Sequence, residues 1–178
     1  MFQDSLFEVV GLSLFMPAEA KQFVFSALIG FLIGVERAWH GKAASLRTFS
    51  TICAGSCLFT ILSVEAVGHG VGIASSVPQH DITRIAAQIV TGVGFLGGGV
   101  IFKSGGRIEG VTTGALVWLA AAIGMACGFN QIELVLWAVI IGVMMHFLSV
   151  VTHRAIAFRR LSRRRHGAVI VEAIDDEE

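Results

Sequence analysis

Residues 111–151 read VTTGALVWLAAAIGMACGF, then NQ, then IELVLWAVIIGVMMHFLSVV. A helix that spans a bilayer needs about 20 mostly apolar residues. This stretch supplies two, at 111–129 and 132–151, and only Asn130 and Gln131 separate them. So short a link predicts a tight antiparallel hairpin of membrane helices. Working outward, three further apolar segments of suitable length lie at 21–37, 47–67 and 82–102. The expected fold is therefore all-α, a polytopic membrane bundle of about five transmembrane helices over residues 21–152. An amphipathic segment at 1–20 precedes it and a tail at 153–178, basic then acidic, follows. The longest loop, about 68–81, is rich in Gly, Ser and His.

Composition agrees. Apolar residues make up 54% of the chain and charged residues 15%, against about 25% charged in a soluble domain. A soluble fold of this size has too much surface to hide so much apolar sequence. The net charge is zero, and a chain that needs a lipid bilayer as its solvent is not expected to bind nucleic acid. No cleavable signal peptide is read: residues 1–16 are apolar but carry Asp4 and Glu8, with no positive start. Cys53, Cys57 and Cys127 all fall in apolar segments and read as small packing residues.

The basic residues set an orientation. If the connections alternate sides, one side collects Arg37, Lys42, Arg47, Lys103, Arg107 and the six arginines of the tail. The other has Lys21 and Arg84. The positive-inside rule then puts the N-terminus outside and the C-terminus in the cytoplasm.

The first helix is odd. Only Phe23 to Val35 separate Gln22 from Glu36, about 20 Å of helix against a hydrocarbon core of about 30 Å. Glu36 and Arg37 are thus drawn toward the membrane. Glycines recur four apart, at 30 and 34, 94 and 98, 110 and 114, and 124 and 128, which lets helices approach closely in lipid. The same spacing allows a homodimer. The third helix holds Gly92, Gly94, Gly97, Gly98 and Gly99, a run that weakens a helix and invites local unwinding.

Charged and polar groups at membrane depth are costly and mark candidate sites. Glu36, Arg37, His40, Lys42 and Arg47, with Thr48, gather at the inner ends of the first two helices. Arg84, Gln88, Thr91 and Gly92 form a polar stripe on the third helix, expected to point into the bundle, with Glu65 as the natural partner of Arg84. Gly110, Thr112 and Thr113 open the fourth helix; Thr112 is expected to cap it, and the free N–H groups there favour an anion. His146 stands alone in the fifth. No phosphate loop of the G-x-x-x-x-G-K-[ST] type occurs, and no HExxH, GxSxG or CxxC. The reading is of a non-enzymatic protein without a cofactor. Its carboxylates are too sparse for a dense Mg²⁺ cage, and no metal ligands are assigned.

Two runs carry a family resemblance: GFLIGVERAWHGKAASLRTFSTICAGSCLF at 30–59 and RIAAQIVTGVGFLGGGVIFKSGGRIEGVTTGALVWLAAAIGMACGF at 84–129. They resemble the MgtC/SapB family of bacterial inner-membrane proteins. The resemblance implies a five-helix membrane domain linked to magnesium homeostasis, to acid and host stress and, in some pathogens, to virulence. Some members are thought to act on the membrane ATP synthase. The family-typical positions are Glu36, Arg37, Leu46, Arg47, Thr48, Arg84, Gln88, Gly92, Gly94, Phe95, Gly97, Gly99, Thr112 and Thr113. Ser45 stands where the family often has Gly, and many members carry a soluble C-terminal domain that is not expected here. Besides a stress-induced structural protein with no ligand, two functional roles stay open. One is a transport-like or channel-like protein with Gln88 on its path. The other is a regulator that binds another membrane complex, for which Gly124 is read as lying on a lipid-exposed face.

Overall fold

The computed structural model describes residues 16–42, 44–68 and 83–152. Of the proposed N-terminal segment only residues 16–20 are described, and from Ala18 they belong to the first helix. Residues 1–15, 69–82, which hold all but the first residue of the expected loop, and the tail from 153 lie outside the described residues. Two compact units divide the chain, 1–135 and 136–178.

The first unit holds α1 (Ala18–Trp39), α2 (Leu46–Gly68), α3 (Thr83–Gly99), β1 (Phe102–Ser104), β2 (Arg107–Glu109) and α4 (Val111–Gly128). A fifth helix, α5 (Ile132–Thr152), begins at its end and makes up the described part of the second unit. Among the described residues, four of the five helices, α1, α2, α4 and α5, are long and apolar enough to cross a membrane. With 17 residues, α3 reaches about 25 Å.

Helix ends follow from local chemistry. Beyond α1, Gly41 has a φ of 62°. Its N–H donates to the Ala38 carbonyl, and that of Lys42 donates to Arg37 over 3.0 Å, so a left-handed glycine closes the helix and satisfies its last carbonyls. After α4, Asn130 takes the same role with a φ of 58°, and the Gln131 N–H reaches the Ala126 carbonyl at 2.8 Å. The NQ link is thus a helix-ending turn.

α2 packs on both α1 and α4. Phe25, Ile29, Phe49, Cys53, Cys57, Val117, Ala120, Ile123 and Cys127 form the core between them. Small residues bring the backbones close: Gly34 packs against the Leu46 backbone and Gly30 against that of Phe49, while Gly124 and Gly128 meet the carbonyls of Cys53 and Cys57. Gly124 is therefore buried in the α2–α4 contact, and its reading as a lipid-exposed position is corrected. The cysteines are buried free thiols, and Cys53 donates to the Ala120 carbonyl. Outside this core, Leu28, Phe31, Leu32, Phe59, Leu62, Phe95 and Trp118 are exposed, as suits a surface solvated by hydrocarbon chains.

Two further expectations change. The glycine run does not break α3, which stays helical through Gly99. In hydrocarbon the cost of an unmade backbone hydrogen bond outweighs glycine's weak propensity. The helix also stops short of 102, because Phe102 to Glu109 form an antiparallel hairpin with Lys103 opposite Ile108. Gly105 and Gly106 both have positive φ at its tip, the requirement of a tight two-residue turn.

Candidate functional site

Two places in the first unit bring polar groups together. The first is the outward side of α3. Arg84, Gln88, Thr91 and Gly92 are all exposed, so the stripe does not point into the bundle. Gly97 turns toward α4 instead, and Val93 is buried along the groove between α2 and α3. Thr91 tolerates this position because its hydroxyl donates to the Ala87 carbonyl one turn back. Its polarity is satisfied within its own helix and demands no partner. No ion pair joins Arg84 to Glu65 among the described residues; both are exposed.

Between α2 and α3 lies an open groove of about 610 Å³. Ile52, Phe59, Ile85, Ile89 and Leu96 make it largely apolar, with Gln88, Thr51 and Ser56 as polar points and Gly55 and Gly92 on its walls. A methyl group added to Gly55, Gly92, Gly94, Gly98 or Gly99 would meet nothing within 4 Å. These glycines serve no packing among the described residues. Gly97 is different: it touches the Gly114 backbone.

The second place is a pocket of about 630 Å³ where the end of α1, the hairpin and the start of α4 converge. Arg37, Lys42, Glu109, Thr112 and Thr113 supply its polar lining. Arg37 is 5% exposed. Glu36 holds it through both carboxylate oxygens, with Nη2 donating to Oε1 at 2.6 Å and Nε to Oε2. His40 Nδ1 lies 3.1 Å from the same carboxylate. Gly110, with a φ of 85°, caps α4 without any side-chain hydrogen bond. Thr112 is thus the second helical residue and not the cap, which corrects the sequence reading. Sequence reasoning placed Arg37 and Lys42 in one cluster and Thr112 and Thr113 in another; the hairpin joins them. Arg47 and Thr48 are exposed in the first turn of α2 and do not line this pocket. Glu109 was missed, its signal being the Gly-Gly turn that returns the chain. His146 lies on α5, in the second unit.

Long apolar helices held together by glycine contacts, with an apolar exterior, define a helical membrane protein. Comparison with protein-family models matches residues 23–155 to the MgtC family, and the chain belongs to that family. Among curated relatives it is 40% identical over 114 residues to "Protein MgtC" of Salmonella typhimurium, covering 64% of this chain and 45% of the relative. It is 40% identical over 106 residues to "Protein MgtC" of Brucella abortus, covering 60% and 40%. An "Uncharacterized protein slr0014" of Synechocystis is 42% identical over 103 residues, covering 57% and 39%. The chain thus spans less than half the length of these relatives. No solved structure matches it.

Proposed function

We propose that this chain is a multi-pass protein of the bacterial inner membrane that serves magnesium homeostasis as a non-enzymatic regulator. Its outward α3 face docks a transmembrane helix of another membrane protein. The proposed orientation has the N-terminus outside and the C-terminus in the cytoplasm, on the strength of the basic-residue bias. Family membership supports the link to magnesium. The observation that carries the docking role is the exposure of Gln88 together with glycines that pack against nothing among the described residues. A Gln amide facing lipid gains by bonding to a neighbouring helix, an interaction worth about 0.6–1.7 kcal/mol, and bare glycine backbone lets that helix come close.

A transport-like role would place Gln88 on a conduction path. Gln88 does line the groove, but the walls around it are mostly apolar and open at the side. Cation flux in proteoliposomes, paired with photo-crosslinking from position 94 in native membranes, separates the two. The regulator reading expects no Mg²⁺ or H⁺ flux above empty liposomes and a crosslink to a different membrane protein. Flux that disappears in Gln88→Leu would overturn it, and a crosslink only to a second copy of the chain would replace the partner with a homodimer.

A further inference from the structure

The pocket beneath α4 has the features of a receptor for an oxyanion. Its lining runs without a break from Ile108 to Thr113 and so includes the whole start of α4. The first N–H groups of a helix have no acceptor within it. Here the capping position is Gly110, which offers no side chain to take their place. Those donors carry the positive end of the helix dipole.

Two buried side chains point to a ligand independently of the helix end. Thr113 is 5% exposed and lines the pocket, and its hydroxyl has no hydrogen-bond partner among the described residues. Arg37, equally buried, also lines it. Glu36 engages only Nε and Nη2. A guanidinium has five N–H donors, so the Nη1 pair is left over and the carboxylate fixes the plane in which it lies. Lys42 stands beside them because the left-handed turn at Gly41 folds the chain back on the last turn of α1. Glu109 is the one carboxylate among the described lining residues, and it opposes an anion.

We propose that this pocket binds a phosphate group, with the first amides of α4, the Thr113 hydroxyl, Arg37 and Lys42 as its donors. The site is separate from the α3 face and does not depend on the docking role. The chemistry is the same whether the phosphate belongs to an anionic phospholipid headgroup or is free in solution. The pocket lies where helices end, close to the fully apolar span yet rich in charge, and a headgroup or a soluble ion can reach such a depth.

The test uses the full chain purified in an uncharged maltoside detergent and follows its thermal unfolding. Inorganic phosphate is titrated against chloride at matched ionic strength. Short-chain phosphatidylglycerol is titrated against short-chain diacylglycerol. Saturable stabilisation is expected in at least one arm. Stabilisation by phosphatidylglycerol alone identifies a lipid headgroup as the source; stabilisation by inorganic phosphate identifies the free ion. Thr113→Val keeps the shape of the side chain, and Lys42→Gln lies at an exposed position, so both variants fold. Each is expected to raise the half-saturating concentration about tenfold, the effect of one lost hydrogen bond to a charged group. Glu109→Gln is expected to lower it. No stabilisation in either arm, or half-saturation unchanged in both Thr113→Val and Lys42→Gln, overturns the proposal.

Discussion

Gly97 and Gly114 meet backbone to backbone, and this contact seats α3 on α4. A methyl group on Gly114 would lie 2.7 Å from the Gly97 carbonyl oxygen, closer than carbon and oxygen tolerate. Neither partner can yield without moving a helix. Gly114→Ala should therefore cost about 1–3 kcal/mol, the usual penalty of overpacking. Gly98→Ala, where the methyl meets nothing within 4 Å, should be neutral or stabilising, since alanine favours a helix by about 1 kcal/mol over glycine. Thermal unfolding of both variants in detergent checks this. Equal midpoints would mean that the Gly97–Gly114 contact does not hold α3.

The same distinction separates folding from function on α3. Gly94→Leu and Gly98→Leu add bulk to a face that packs on nothing among the described residues, so the protein should fold with wild-type stability. If that face docks a partner helix, both variants should lose the crosslink to the partner. Gly124→Leu cannot serve this purpose, because it forces a side chain into the Cys53 backbone and should fail to fold. Full activity in a well-folded Gly98→Leu variant would remove the docking role.

The helical bundle was readable in the sequence because membrane spans announce themselves by length and apolarity, as 132–151 does. Close packing was readable too, since paired glycines mark near backbones, but which pairs face inward was not. Gly30 with Gly34 and Gly124 with Gly128 are buried, whereas Gly94 and Gly98 have the same spacing and are exposed. Spacing reports one helix face and does not say what lies opposite. Polarity misled for a different reason. Thr91 was expected to turn inward, yet a threonine can bond to the carbonyl one turn back and so can face outward without loss. The pocket escaped notice because Arg37 and Thr113 are far apart in sequence and meet only through a hairpin of three-residue strands, too short for any periodic pattern to show.

Glu36 and Arg37 are an adjacent pair with unequal burial: the Arg37 side chain is 6% exposed and that of Glu36 32%. Removing the carboxylate leaves a guanidinium buried without its counter-charge. Breaking a fully buried pair costs about 3–5 kcal/mol. Partial exposure of Glu36 reduces this to about 1–3 kcal/mol. Glu36→Gln should lower the unfolding midpoint, and Glu36→Gln with Arg37→Met should recover part of the loss, because the double change leaves no orphaned charge. A double variant less stable than the sum of the singles would contradict a pair held by charge.

Gly110 is the most tightly confined glycine among the described residues. Its φ of 85° belongs to the left-handed region, and a Cβ there would come within 2.8 Å of the Val100 carbonyl carbon and closer still to its oxygen. Two costs add: the left-handed strain of an L-residue, about 1–2 kcal/mol, and an overlap of backbone with side chain that only a shift of the hairpin can relieve. Gly110→Ala should therefore lose more than about 3 kcal/mol, most of the margin of a small domain. Gly105→Ala, at a φ of 55° but with open space around it, bears only the first cost and should lose about 1 kcal/mol. Urea unfolding of the two variants in detergent gives the comparison. If Gly110→Ala is no worse than Gly105→Ala, the close approach of the hairpin exit to the end of α3 is not what positions the start of α4.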